Sequence, residues 1–379
     1  MDAIAAGGGL AGTAFAIELA RAGAKITLIE RTAGPHHKVC GDFLSGEART
    51  LLRHLGIDPL ALGGNVIKTL SLADRASEAR APLPFDAIGL SRFRLDEMLL
   101  AAATSAGVTV LRGTTVEGID ESGGNVLVRT PHGTYGARVA ALASGKHNIR
   151  GISRAPGSMV GLKMHLEPTR TTKDALEALV RLMAFPGGYV GACLVENDTL
   201  SIAWNIENAS LTAIGRTWNH QRDYIARASP PFASIVHEAK PLWEKPVAVS
   251  GLPYGFLRTE PISARIYPIG DQLAVIPSFA GDGTSLALAS GIAAARAVLS
   301  GENADTFQRR LIAGYRGQFR IVGTLDRVIA NPIMRRAAIA LAGFAPQLVT
   351  RIAGATRMSG YCDLAERAHT LEIERSKVG

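Results

Sequence analysis

Two glycine clusters, one carboxylate and a short cysteine–aspartate block hold the chemistry that this sequence offers. Gly7-Gly8-Gly9-Leu10-Ala11-Gly12 follows a short apolar run, Ala3–Ala6, and precedes Thr13–Ala22, whose small and apolar residues have helical spacing. After Gly23, Lys25–Ile29 is a β-branched strand that closes on Glu30-Arg31. The spacing has a physical logic. Gly7 permits a tight turn, Gly9 lets backbone amides approach a pyrophosphate, and Gly12 lets the helix lie close to the strand. The helix start then turns unpaired N–H groups and a positive dipole end toward the phosphates. Glu30, 18 residues after Gly12, stands where a carboxylate binds both ribose hydroxyls and repels a 2′-phosphate. FAD or NAD therefore fits better than NADP.

A second glycine turn lies far downstream. Arg265–Asp271 reads as a strand ending in Gly270-Asp271, followed by Pro277, Gly281-Asp282-Gly283 and a helix over Thr284–Leu299. That helix start offers another nest of amide donors, suited to a second phosphate or to a flavin carbonyl. Asp271 is placed to accept hydrogen bonds from ribityl hydroxyls. A plain NAD domain has no use for such an element so far along the chain, whereas a flavin stretched between two helix starts does. FAD is the expected cofactor.

From about residue 3 to residue 325 the chain resembles FAD-dependent oxidoreductases of the p-hydroxybenzoate hydroxylase type, and most of all their geranylgeranyl reductase-like branch. Four blocks carry the resemblance: Gly7–Gly12 with Glu30-Arg31; Lys38-Val39-Cys40-Gly41-Asp42-Phe43-Leu44-Ser45; Arg92-Phe93-Arg94-Leu95-Asp96-Glu97-Met98-Leu99; and Gly270-Asp271 through Pro277, Gly281, Gly283 and Ser290-Gly291. It implies an α/β fold: a Rossmann-like FAD-binding domain with an inserted antiparallel-sheet substrate domain and a C-terminal helical segment. Together with the residue chemistry it puts Gly7, Gly9, Leu10, Ala11, Gly12, Glu30, Arg31, Cys40, Gly41, Arg92, Val116, Gly270, Asp271, Gly281, Gly283 and Thr284 at the cofactor. It puts Cys40 and Asp42 nearest the reacting ring, as the catalytic candidates. A thiol at residue 40 could donate a proton or simply fill space. For Asp42 the plainer role is that of N-cap to a helix over Gly46–Leu55, a role for which Ser45 competes.

The chain also departs from the family pattern. Ser144-Gly145 stands where the hydroxylases carry Asp-Gly, although Gly145 and Arg150 match. Phe185-Pro186-Gly187-Gly188 keeps part of the prenyl-reductase motif, but Arg181 and Met183 replace its Tyr and Trp, which argues against reduction of a long isoprenoid. The Trp-x-Trp-x-Ile-Pro pattern of flavin halogenases is absent, which argues against halogenation. Phe185–Tyr189 is an expected pocket wall, a placement that ordinary core packing explains equally well. Lys146 and His147 could steer a phosphate or a phenolate. His36-His37 reads as a solvated pair.

The elements that must position these residues fall into a discontinuous cofactor domain, 1–65, 92–155 and 250–325, and a substrate domain, 66–91 and 156–249. An Arg-rich helical segment, 326–379, follows. Alternation predicts strands over Gly113–Asp120, Asn125–Thr130, Thr134–Leu142, Met159–Leu166, Tyr189–Val195 and Thr199–Ile206. Helical segments are expected around Lys173–Leu182 and Leu211–Ala228.

With 379 residues, 47% hydrophobic and 20% charged, the chain can bury a large core, which excludes wholesale disorder. Cys40, Cys193 and Cys362 form no CxxC, so neither a disulfide framework nor a metal site is expected. No signal peptide or spanning segment is evident, so a cytoplasmic protein is expected, with membrane association through its tail as a further option. Between Asp305 and Arg357 nine arginines stand against two aspartates and no lysine, a local +7 within a net charge of +8. Three readings fit that segment: solvated basic faces, a membrane-surface contact, or docking of an acidic carrier protein over residues 305–357. No nucleic-acid partner is expected. Only one dinucleotide fingerprint is visible, so NAD(P)H is expected as a transient reductant. The leading expectation is a monooxygenase hydroxylating an apolar aromatic or phenolic small molecule, with a lipid tail as an option. The alternative is a flavin-dependent reductase of carbon–carbon double bonds in an isoprenoid or polyketide-like substrate. A non-catalytic flavoprotein that docks through its tail is the third reading.

Overall fold

The computed structural model describes residues 1–75 and 77–357; Cys362 and the end of the 326–379 segment lie outside the described residues. Five short strands make a parallel sheet in the order Ile266–Pro268, Val139–Leu142, Ala3–Ala6, Ile26–Glu30, Thr109–Arg112. Ala3–Ala6 and Ile26–Glu30 are buried along their whole length, as expected of parallel strands covered on both faces. The helix Leu10–Arg21 begins three residues before the expected Thr13, with Gly9 as its N-cap. At Gly7 (φ +125) a Cβ would lie 2.3 Å from the Ala143 carbonyl oxygen, and at Gly12 one would lie 1.9 Å from the Gly7 oxygen. Only glycine lets this helix start sit so close to the sheet. The late helix Gly283–Ser300 packs along the first one. It is apolar and long enough to cross a membrane, but 67% of it is buried inside the fold.

The second sheet runs Lys240–Pro241, Met159–Glu167, Thr199–Glu207, Gly188–Val195, Leu179–Phe185, Asn65–Asp74, Ser77–Gly89, Phe43–Leu44, and Val247–Leu252 also pairs with Met159–Glu167. All its pairings are antiparallel except one: Leu179–Phe185 lies parallel to Asn65–Asp74. Its covered face holds Leu162, Met164, Ile202, Trp204 and Phe185, packed under the helices Trp218–Ala228 and Pro230–Val236.

Several expected elements are corrected. Lys173–Leu182 is not a helix; a short helix, Arg170–Ala175, gives way at Ala178 (φ 50) to the strand Leu179–Phe185, which pairs with Gly188–Val195 just after it and with Asn65–Asp74 about a hundred residues before it. Leu211–Ala228 is two helices, Asn208–Ile214 and Trp218–Ala228, parted at Gly215 (φ 97). Thr134–Leu142 is two strands, Gly133–Ala137 in a three-stranded sheet and Val139–Leu142 in the parallel one. The strand expected over Gly113–Asp120 starts only at Gly118, which leaves 113–117 as a loop. Residue 325 marks no break, because one helix runs from Ala304 to Ala330; Pro332–Phe344 and Pro346–Ala355 follow it.

Candidate active site

Strand ends of the parallel sheet, the two helix starts and one face of the second sheet enclose a cavity of about 530 Å³, within the range of small-molecule sites. Its walls include Gly7, Gly9, Leu10, Ala11, Glu30, Arg31, Cys40, Gly41, Arg92, Val116, Gly270, Asp271, Gly281, Gly283 and Thr284. Fourteen of these come from three stretches far apart in the chain, and Val116 is carried in by the 113–117 loop. Gly12 is not on the wall; its place is in the helix–strand contact. Asp42 is not on it either.

Neither helix start is capped by a side chain, so the first N–H groups of Leu10–Arg21 and of Gly283–Ser300 remain available to a ligand. Glu30 is buried and braced. Its Oε2 accepts the Gly8 N–H (2.8 Å), and its Oε1 accepts from Thr32 N (3.0 Å) and Thr32 Oγ1 (2.7 Å). Burial alone would raise its pKa, but Lys38 and these donors hold it below the usual carboxylate range. Arg92 is fixed by Asp96 through Nε (2.6 Å) and Nη2 (3.0 Å), and Lys38 Nζ joins the same carboxylate at 2.8 Å. A Cβ at Gly9 would lie 3.9 Å from both Arg92 Nη2 and Lys38 Nζ, so that glycine keeps the space between the helix start and two cations open. Free amides, flanking cations and a braced acid fit the pyrophosphate and ribose of FAD.

The Ser144–Asn148 loop, which lacks the family's acid, is organised by other groups. Gln272 Nε2 donates to Ser144 Oγ (2.9 Å), Gly145 O (2.9 Å) and His147 O (2.8 Å). Arg154 donates to the Asp271 carbonyl at 2.6 Å. Lys146 Nζ reaches Val39 O at 2.8 Å, while Arg150 is exposed and off the wall.

Asp42 is corrected from catalytic candidate to structural anchor, because its carboxylate is wholly enclosed and turned away from the cavity. Its backbone is left-handed (φ 54), a region Asp tolerates better than most residues. Oδ2 takes the Lys163 ammonium (2.5 Å), His165 Nε2 (2.8 Å) and Ser201 Oγ (2.8 Å), and Oδ1 takes the Arg92 N–H (3.1 Å). Burial would raise its pKa, but the buried Lys163 charge and the His165 bond outweigh that and drive it far below normal. The helix Gly46–His54 is capped by Ser45, not Asp42. Cys40 does line the cavity, and the neighbouring Cys193 thiol is pushed up by burial and by Asp42.

The histidines at 36 and 37 are wall residues, not a solvated pair. The His37 ring stacks on Phe93 (4.8 Å) and lies against Trp243 (4.3 Å) and His165 (5.1 Å). Burial first, then the Lys163 charge, lowers its pKa to about 4, so it is neutral at pH 7.

The residue reading missed a polar cluster beside the second helix start. Tyr254 Oη donates to Asn205 Oδ1 (2.6 Å), Asn205 Nδ2 donates to Ser278 Oγ (2.6 Å), and Tyr189 Oη shares a 2.5 Å bond with the same hydroxyl. Tyr254 and Ser278 face the cavity, with Tyr189 and Asn205 behind them. Burial pushes the Tyr189 phenol up to about 12 and raises Tyr254 as well, so both stay protonated. Phe185, by contrast, is core. Four residues from separate strands and loops leave no short motif to find.

Comparisons with known proteins agree with this geometry. Residues 1–141 match the FAD binding domain family. Protein FixC of Escherichia coli O157:H7 is 24% identical over 362 residues, 83% of this chain and 80% of that protein. The 6-methylpretetramide 4-monooxygenase of Streptomyces rimosus is 27% identical over 263 residues, 62% of this chain and 61% of that enzyme. The flavin-dependent brominase Bmp2 superposes with a TM-score of 0.75 at 18% identity, covering 99% of both chains, a likeness of fold. Residues 1–141 carry an FAD-binding domain, and the chain is an FAD-dependent oxidoreductase.

Proposed function

We propose that the protein is a monooxygenase that hydroxylates an apolar aromatic or phenolic small molecule, with a nicotinamide nucleotide as transient reductant. The observation that carries this reading is the protonated Tyr254–Asn205–Ser278–Tyr189 cluster at a cavity whose lining also includes Val39, Phe43, Val247, Val249, Val275 and Ile276. Apolar walls accept a ring, and a neutral phenol and a hydroxyl orient its oxygen.

Bound FAD supplies electron transfer from the nicotinamide and the activation of oxygen. Overall, substrate, O2, NAD(P)H and one proton would give hydroxylated substrate, water and NAD(P)⁺. The chain's own contribution is position and exclusion. The amides at Leu10 and Ala11 and the Arg92 charge would hold the pyrophosphate, and Glu30, which already braces the glycine loop through the Gly8 N–H, would hold the ribose. Tyr254 Oη, whose own hydrogen is committed to Asn205 Oδ1, would present its lone pairs to a substrate phenol O–H. His37, backed by Phe93 and Trp243, would hold one part of the wall in place.

Oxygen uptake, NADPH oxidation and product mass, measured on FAD-loaded protein with a panel of alkylated phenols, test the reading. Expected are substrate-dependent uptake, a product heavier by one oxygen, and a Tyr254→Phe variant that loses about tenfold in kcat/KM while NADPH oxidation continues uncoupled. Absence of oxygenated product with every phenol sinks it. A second reading, hydride delivery to a carbon–carbon double bond with Cys40 as proton donor, draws on the reductase-like branch and on Cys40 at the wall. Anaerobic substrate reduction that fails in Cys40→Ser would favour it.

A further inference from the structure

The long helix Ala304–Ala330 carries the arginines in a pattern that composition alone hides. At roughly 100° per residue, Arg309, Arg316, Arg320 and Arg327 fall within about 40° of one another. All four are exposed, while Phe307, Leu311, Tyr315, Gln318 and Val322 line the buried side. No carboxylate pairs with these four among the described residues, in contrast to Arg310 with Glu302 and Arg357 with Asp282. The stripe extends over roughly 27 Å of helix.

The next helix, Pro332–Phe344, packs on the long one and reverses the usual arrangement of a surface helix. Its inner side, Ile339 and Ala342, seats on Ala79 and Leu72 of the second sheet, and Arg335 Nε anchors it to Asp74 at 3.2 Å. Its outer side is apolar. Ile333 is 79% and Phe344 90% exposed, and Met334 and Leu341 are exposed between them. These residues, with Ala337 and Ala340, span about 120° of the helix. Leu348 of the following helix is exposed as well.

We propose that this face is a docking surface for an anionic lipid bilayer, with the outer side of Pro332–Phe344 in the acyl boundary and the arginine stripe on the headgroups. Two consecutive helices, one with protruding apolar side chains and one with exposed arginines that no carboxylate pairs among the described residues, supply the two components of an interfacial contact. Charge selects the occupant. A second copy of the chain would bring a local +7 against a local +7, and an apolar groove for a peptide is not what these residues form, since they project singly from a convex helix. The proposal is independent of the reaction catalysed.

Flotation of the full-length, FAD-loaded protein with vesicles tests it, using phosphatidylcholine alone and phosphatidylcholine mixed with phosphatidylglycerol. The protein should float with the mixed vesicles only, and less as salt rises. Each arginine near an anionic surface is worth roughly a factor of five in partitioning. The set Arg309→Gln, Arg316→Gln, Arg320→Gln and Arg327→Gln should therefore lower it by at least about a hundredfold. Ile333→Ser with Phe344→Ser should lower it at least about tenfold. Bound-flavin absorbance and melting temperature verify that both variants are folded, and the lipid and salt dependence of the unaltered protein stands without them. No flotation with any vesicle, flotation indifferent to phosphatidylglycerol, or a dimer in ultracentrifugation that Phe344→Ser dissociates would each overturn the proposal.

Discussion

Gly41-Asp42 and Gly281-Asp282 both border the cavity, each with its glycine on the wall and its aspartate buried behind it, yet the two carboxylates are treated in opposite ways. Asp42 meets an ammonium, an imidazole, a hydroxyl and a backbone N–H, and is held ionised far below its usual range. Asp282 meets one arginine, Arg357 (2.5 Å), and the Gln318 amide (2.8 Å). Burial dominates there, against the pull of Arg357 and with Glu47 nearby, and pushes its pKa up to about 7. The lesson is one of coordination. A buried carboxylate stays charged when enough donors converge on it, and otherwise becomes a group whose charge depends on pH.

The largest expected effect belongs to Asp42. Asp42→Ala strands the fully buried Lys163 ammonium and should cost about 3–5 kcal/mol in urea denaturation. Asp42→Asn combined with Lys163→Met should recover a substantial part of that loss; if the double variant is as unstable as the sum of the singles, the two groups are not coupled and the comparison fails.

The pH dependence comes next and has opposite signs at the two sites. For Asp42 the folded pKa lies below the unfolded 3.8, so its stabilisation is present above that value and lost as pH falls beneath it. For Asp282 the folded chain keeps a proton between 3.8 and about 7 that the unfolded chain has released, so stability declines as pH climbs through that window. Asp282→Asn should flatten the decline, with a difference from the parent protein of about 2 kcal/mol or more at pH 8, each pKa unit being worth about 1.4 kcal/mol. Melting temperatures at pH 5 and pH 8 measure it, and an unchanged slope in the variant removes Asp282 as its source.

The smallest effect sharpens the comparison with a third carboxylate on the same cavity. Glu30 is braced by Gly8 and Thr32 and faces the ligand, so Glu30→Gln should leave the melting temperature of the apoprotein within a few degrees and weaken FAD by about tenfold in fluorescence titration. A loss of fold instead of affinity would make Glu30 another Asp42.

These three acids also show what the sequence discloses. Glu30 was legible, because strand, glycine turn, helix and acid lie within 30 residues and their spacing fixes their geometry. Asp42 was visible only as part of a block, and its role was misjudged: Lys163, His165 and Ser201 sit on strands over a hundred residues away, and alternation along a strand says which face a residue takes, not what it meets there. Asp282 depends on Arg357, a residue that read as one more cation in a basic tail. The Tyr254–Asn205–Ser278–Tyr189 cluster escaped for the same reason. Ala3–Ala6 and Ile26–Glu30 were readable from their apolar runs, but the edge strand Thr109–Arg112 was not, and residues 179–182 read as helix, since a short apolar run has no period of its own.

That one parallel pairing has a consequence for how the chain is made. The hairpin Asn65–Asp74 and Ser77–Gly89 leaves the ribosome roughly a hundred residues ahead of the strand that covers its open edge, a wait on the order of ten seconds at ordinary elongation rates. Throughout that interval its unpaired amides and carbonyls are a template for any passing strand. Ala3–Ala6 waits longer still for Val139–Leu142, so the seams between strands far apart in sequence are where the nascent chain most needs shielding.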